Sequence, residues 1–263
     1  MVSATLEEVF ASARTEQRAA LVGYLPAGFP GQAASEQACA DLARAGADIV
    51  EVGVPYTDPL MDGPVIQDAA ERALAAGFRF AHLLRCVEAV ANAGAVPVVM
   101  SYWNPVLRYG PAQFAADLAS AGGAGLITPD LIPDEAGVWT DAAQQHGVAP
   151  IFLVAPSSTD ERLAMTVRAC RGFVYAASTM GVTGARAAVG GGAQALVART
   201  RAVTDLPVCV GLGVSTGDQA AEVAGFADGV IVGSALVSAL GTDPSGGALR
   251  SLTQELAEGV RRG

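Results

Sequence analysis

The chain has 263 residues, 51% of them hydrophobic and only 16% charged, enough apolar material for one large core or two small ones. A formal charge of −10 argues against nucleic acid or an anionic membrane as the main partner, so any anionic ligand must be held by local geometry. All 16 basic residues are arginine, which excludes a lysine Schiff base, covalently held pyridoxal phosphate and a Walker-type phosphate lysine.

From the N-terminus, the segment Met1–Glu8 lacks a basic stretch followed by an apolar one, and no apolar run reaches about 18 residues; a soluble, cytoplasmic protein is expected. A first helix is predicted over Leu6–Arg14. Eight short Val/Ile/Ala-rich runs follow, at Ala20–Tyr24, Asp48–Val52, Val96–Tyr102, Gly125–Thr128, Ala149–Val154, Gly172–Ala177, Pro207–Gly211 and Asp228–Val232. Amphipathic helical patterns lie between them, among them Gln32–Ala45, Pro111–Ala121, Asp134–Gln145, Thr159–Arg171, Ala193–Val203 and Thr216–Ala224. Eight alternations without a break in composition predict an α/β chain forming a single (β/α)8 TIM barrel over residues 1–263, with an additional N-terminal helix.

In such a barrel, chemistry sits at the C-terminal ends of the strands. The second run reads Ile49-Val50-Glu51-Val52-Gly53-Val54, and alternation places Glu51 on the same face as Ile49 and Gly53, pointing inward. Burial raises the pKa of such a carboxyl and suits it to general-acid work; a structural carboxylate paired with arginine is the alternative. The loop Val54–Pro64 follows at once and carries Asp58 and Asp62. A second long loop, Ser178–Gly192, is rich in glycine and reads either as a lid or as a plain surface loop.

The last two strands run into Gly211-Leu212-Gly213 and Gly233-Ser234-Ala235, where backbone N–H groups and a helix N-terminus can hold phosphate without lysine. His82 and His146 read as helix surface or helix end, which leaves acid–base work to carboxylates and tyrosines. Cys39, Cys86, Cys170 and Cys209 are scattered without C-x-x-C spacing and read as core filler; no metal site is expected.

The run Glu51-Val52-Gly53-Val54-Pro55-Tyr56-Thr57-Asp58-Pro59-Leu60-Met61-Asp62-Gly63-Pro64 resembles the tryptophan synthase alpha chain family. So do Tyr102-Trp103-Asn104-Pro105-Val106-Leu107, Pro129-Asp130-Leu131-Ile132-Pro133 and Gly181-Val182-Thr183-Gly184, with the two terminal glycine motifs following in family order. The resemblance implies retro-aldol cleavage of indole-3-glycerol phosphate to indole and glyceraldehyde 3-phosphate in tryptophan biosynthesis, without metal or cofactor in this chain. It implies Glu51 as the acid that protonates indole C3 and Asp62 as the acceptor of the indole N–H. Tyr24, Met100, Tyr102, Ile127, Leu153, Tyr175, Thr183 and Leu212 are then expected around the substrate, Tyr102 helping to place Glu51 and Thr183 tying the second loop to Asp62.

By the same resemblance Gly184, Gly213, Gly233 and Ser234 are expected to hold the phosphate. Pro55, Tyr56 and Asp58, with the second loop, are expected to face a beta chain that carries pyridoxal phosphate in an αββα complex. Leu212, where the family often has an aromatic residue, and Arg186 depart from the usual pattern. A free-standing lyase, a phosphosugar isomerase or epimerase, and a noncatalytic regulatory subunit are the alternatives open at this point.

Overall fold

The computed structural model describes residues 5–177, 191–211 and 213–263. Eight parallel strands pair in chain order and close into a barrel. They are β1 (Ala20–Pro26), β2 (Ile49–Gly53), β3 (Val96–Met100), β4 (Gly125–Thr128), β5 (Ala149–Val154), β6 (Val174–Ala177), β7 (Val208–Gly211) and β8 (Gly229–Val232). The barrel shuts between β1 and β8, with Ala20 opposite Gly229 and Gly23 opposite Val232.

Successive residues of each strand face opposite sides, which sorts the apolar residues into two layers. Val22, Ile49, Val98, Ile127, Ile151 and Ile231 fill the barrel interior. Leu21, Val50, Val52, Leu126, Val210 and Val230 pack outward against the helices. The inward face expected for Ile49, Glu51 and Gly53 is therefore the observed one.

Helix α1 (Leu6–Thr15) closes the N-terminal end of the barrel. Its capping box, Thr5 with Glu8, fixes its start, and Leu6, Phe10 and Ala13 join the interior layer, Phe10 lying 5.8 Å from Phe173. Beside it Asp48, just ahead of β2, accepts hydrogen bonds from Arg18 Nη1 at 2.7 Å, Arg18 Nη2 at 2.8 Å and the Leu21 N–H at 2.8 Å.

The outer layer comprises α2 (Gln32–Arg44), α3 (Pro64–Ala75), α4 (Phe80–Ala93), α5 (Trp103–Tyr109), α6 (Pro111–Ser120), α7 (Gly137–His146), α8 (Asp160–Ala169), α9 (Gly191–Arg201), α10 (Gly217–Ala224), α11 (Ser234–Thr242) and α12 (Gly247–Gly259). Helices α3, α4, α5, α11 and α12 go beyond those named from the sequence. Their N-caps are Gly63, Arg79, Tyr102, Gly233 and Gly246, so none opens with the Ser, Thr, Asp or Asn that marks a helix start. The helix expected over Asp134–Gln145 is two pieces, a 3₁₀ turn at Pro133–Glu135 and then α7, with Ala136 between them. The four cysteines are buried and free. No helix among the described residues is long and apolar enough to cross a membrane.

Candidate active site

Glu51 sits in the middle of β2 with its side chain inside the barrel, 1% exposed. Tyr24 of β1 is its register partner on one side and Val98 of β3 on the other. Among the described residues no arginine pairs with it. Its Oε2 is buried without a hydrogen-bond partner among the described residues, a costly state for a carboxylate. Burial, with the nearby negative charge of Asp62, pushes its pKa up to about 8, so the carboxyl is mostly protonated at neutral pH. The paired structural carboxylate that the sequence left open is found at Asp48 instead.

Asp62 ends the loop that leaves β2. Burial raises its pKa, while a hydrogen bond donated by Tyr102 Oη to its Oδ1, 3.0 Å long, opposes that rise. The same phenol oxygen accepts the backbone N–H groups of Leu60 and Met61, each at 3.0 Å. Tyr102 therefore organises the Asp62 loop. This revises the expectation that it would place Glu51: the phenol lies past the end of β3, level with the loop, whereas Glu51 lies deeper in the strand. Gln67, in the first turn of α3, donates from Nε2 to the Asp62 carbonyl at 2.8 Å.

Tyr24 and Tyr175 line the space around Glu51. Both phenols are pushed well above their usual range, chiefly by burial and also by the charge on Glu51. Two glycines make room for their rings. A Cβ on Gly53 would collide with the ring and hydroxyl of Tyr24, and one on Gly211 would stand 2.6 Å from Tyr175 Oη. Met100 and Leu153 reach the mouth half-exposed. Ile127 is fully buried and belongs to the closed layer beneath them, so it supports the pocket floor and presents no surface to a ligand.

After β8, next to β1 and Tyr24, Gly233 caps the N-terminus of α11 with no side-chain cap, and Ser234 is the first residue of that helix; both are half-exposed. Gly213, at φ +72°, occupies the left-handed region that favours glycine. Open backbone N–H groups at a helix start are suited to an anion. Thr183, Gly184, Arg186 and Leu212, with the loop from Ser178 to Gly190, lie outside the described residues.

On the rim, Tyr56 is half-buried and Asp58 exposed, while Pro55 is buried beneath them and offers no surface of its own. Tyr56 stacks near Tyr102 at 5.4 Å and accepts a hydrogen bond from Asn104 Nδ2 at 3.0 Å. Asp130 Oδ1 takes the Trp103 N–H at 2.8 Å, tying the loop after β4 to the start of α5. Leu60, Leu107 and Ile132, from the segments following β2, β3 and β4, are exposed at 72%, 52% and 41%. Gln67, Asn104 and Asp130 were not singled out from the sequence. Asn104 and Asp130 stand inside the motifs quoted above, and Gln67 is the lone amide in the first turn of α3.

A closed (β/α)8 barrel with a buried carboxyl and a phenol-held carboxyl at and after β2, and an uncapped helix start after β8 beside them, has the architecture of a barrel enzyme suited to carboxylate acid–base chemistry. Residues 10–260 match the family model described as tryptophan synthase alpha chain. The chain is 64% identical over 258 residues to the tryptophan synthase alpha chain of Mycobacterium marinum, covering 98% of this chain and 95% of that one. It is 62% identical to that of Nocardia farcinica over 97% of this chain and 96% of that one. Its structure superposes on Mycobacterium tuberculosis tryptophan synthase with a TM-score of 0.95 at 60% identity, covering 99% of this chain and 100% of that one. With the alpha subunit from Legionella pneumophila the TM-score is 0.87 at 31% identity, over 97% of both. The chain belongs to the tryptophan synthase alpha chain family.

Proposed function

We propose that this chain cleaves indole-3-glycerol phosphate to indole and glyceraldehyde 3-phosphate, as a carbon–carbon lyase of tryptophan biosynthesis in the cytoplasm, folded as one barrel domain. The observation that carries this reading is the pair Glu51 and Asp62, one carboxyl buried without a counter-ion among the described residues and the other held by a phenol. Protonated Glu51 delivers a proton to indole C3, which turns the ring into a leaving group. Asp62 accepts the indole N–H and stabilises the positive charge that develops on the ring. The bond between C3 and the glycerol carbon then breaks, its electrons return to the ring, and the glycerol hydroxyl gives up its proton to Glu51 as the aldehyde forms. Protons and electrons balance with no cofactor in this chain.

Gly213, Gly233 and Ser234 hold the phosphate, with Gly184 added on motif position alone. Tyr24, Met100, Leu153 and Tyr175 enclose the ring, and Thr183 and Leu212 are assigned on motif position. The exposed Leu60, Leu107 and Ile132, with Tyr56 and Asp58, form one apolar rim on the face where the site opens. That rim is suited to a beta chain, which would carry pyridoxal phosphate and receive indole within an α2β2 assembly. Indole release from indole-3-glycerol phosphate, followed with and without a beta chain, tests the whole reading. Activity that rises with the partner and is lost in Glu51→Gln and Asp62→Asn is expected; undiminished activity in Glu51→Gln would remove the acid from the mechanism.

A further inference from the structure

The first turn of α3 touches both halves of the site. Gly63 is the N-cap of this helix, and the Gln67 N–H makes the first helical hydrogen bond, to the Gly63 carbonyl at 2.9 Å. The Gln67 side chain then reaches back one residue further and donates to the Asp62 carbonyl at 2.8 Å. The unsatisfied groups at a helix start are N–H donors, and an amide N–H can satisfy none of them. The bond therefore does nothing for the helix and serves the residue ahead of it. The adjoining Ile66 points the other way, into the core, where its Cδ1 would lie 3.8 Å from a Cβ on Gly233 at the start of α11. One rigid helical turn thus lies between the Asp62 backbone and the anion cradle.

The geometry points to Gln67 as a positioning residue that fixes Asp62 relative to the phosphate cradle, so that a substrate anchored at Gly233–Ser234 meets the carboxylate at the indole nitrogen. This rests on the assignment of Asp62 given above. Tyr102 holds the Asp62 side chain and the N–H groups ahead of it, and Gln67 holds the carbonyl behind it. Together they fix the residue at both ends.

The test compares Gln67→Leu, the near-isosteric Gln67→Glu, Asp62→Asn and the double variant Asp62→Asn/Gln67→Leu in indole release, with the beta chain present. Misplacing a reacting group by about 1 Å costs about 100-fold, so kcat is expected to fall roughly 10- to 100-fold in both Gln67 variants. KM and inhibition by inorganic phosphate should change little, because the cradle is untouched. The pH profile supplies a readout that general loosening would not move. Glu51 faces Asp62 from the β2 loop, Tyr24 from β1, Tyr175 from β6 and Cys209 from β7. In Gln67→Leu, which adds no charge, only Asp62 of these shifts, and retreat of its charge moves the alkaline limb to lower pH. In the double variant Gln67→Leu should add nothing, since the carboxylate it positions is gone.

Unchanged kcat and pH limb in both Gln67 variants, beside a dead Asp62→Asn, would overturn the positioning role and leave the active-site assignment standing. A fall in kcat with no shift of the limb in Gln67→Leu, or full additivity in the double variant, would also overturn it and assign Gln67 to loop folding alone. An active Asp62→Asn would instead remove the assignment on which it rests.

Discussion

Asp48, just ahead of β2, and Glu51, in the middle of that strand, lie a few residues apart, and the protein treats them in opposite ways. Asp48, at the closed end, receives both Arg18 nitrogens and a backbone N–H. Glu51, further toward the open end, receives no cation among the described residues and keeps one oxygen without a partner there. An ion pair with its hydrogen bonds filled is a structural device, and an acid buried without one is held at a cost that only chemistry can offset. The two positions thus separate what stabilises the barrel from what it does.

The largest effect that sharpens this contrast is Glu51→Gln. Loss of the general acid should lower kcat by about 10²–10⁴-fold, while thermal stability is kept or raised. The folded-state pKa of Glu51, about 8, lies above its ordinary value of 4.5. The stability it contributes is present in full below about pH 4.5 and is lost as pH rises to about 8. Glu51→Gln should flatten that part of the curve of melting temperature against pH. In the free enzyme the wild-type kcat/KM should fall on the alkaline side near pH 8, where the acid loses its proton. A slope unchanged by the substitution would mean that Glu51 is solvated or paired in solution.

Asp48→Ala should do the reverse. Arg18, with only 7% of its side chain exposed, would keep just Glu16 as an ionic partner, and a loss on the order of 3 kcal/mol is expected from denaturant unfolding. The kcat of the folded fraction should be unchanged. A kcat loss matching that of Glu51→Gln would erase the division between the two positions.

Gly53→Ala tests the mouth by sterics. The added methyl meets the Tyr24 ring and hydroxyl, and overpacking of this kind costs about 1–3 kcal/mol. Because Tyr24 also borders Glu51, KM should rise along with the loss of stability; a change in stability alone would place the ring outside the substrate pocket.

The strands and the inward Glu51 were legible in the sequence because period-two alternation states them directly, as Ile49, Glu51 and Gly53 show. Helices α3, α4, α5, α11 and α12 were not, since each starts at a glycine, arginine or tyrosine instead of a Ser, Thr, Asp or Asn. Of the candidate site, Glu51, Asp62 and the terminal glycines were singled out by motif and strand end. The hub at Tyr102 was not, because its three bonds join residues some 40 positions apart and no local pattern encodes them. The burial of Pro55 under Tyr56 was hidden for the same reason, being a property of how the loop folds over the mouth.

Tyr102→Phe carries the smallest of these effects and probes the boundary between holding and reacting. It keeps the ring beside Tyr56 and removes only the oxygen, leaving two N–H groups to find water and Asp62 without its donor. Each lost hydrogen bond of this kind is worth about 1 kcal/mol, so a kcat loss of roughly tenfold and a slightly lower melting temperature are expected. The informative sign is in the pH profile. The hydrogen bond from Tyr102 holds the Asp62 pKa down against burial, so its removal lets that pKa rise and moves the acid limb of kcat/KM to higher pH. Glu51→Gln acts on the alkaline limb and Tyr102→Phe on the acid limb. A shift of the alkaline limb alone in Tyr102→Phe would return the phenol to Glu51, as the sequence first suggested, and would assign Asp62 another donor.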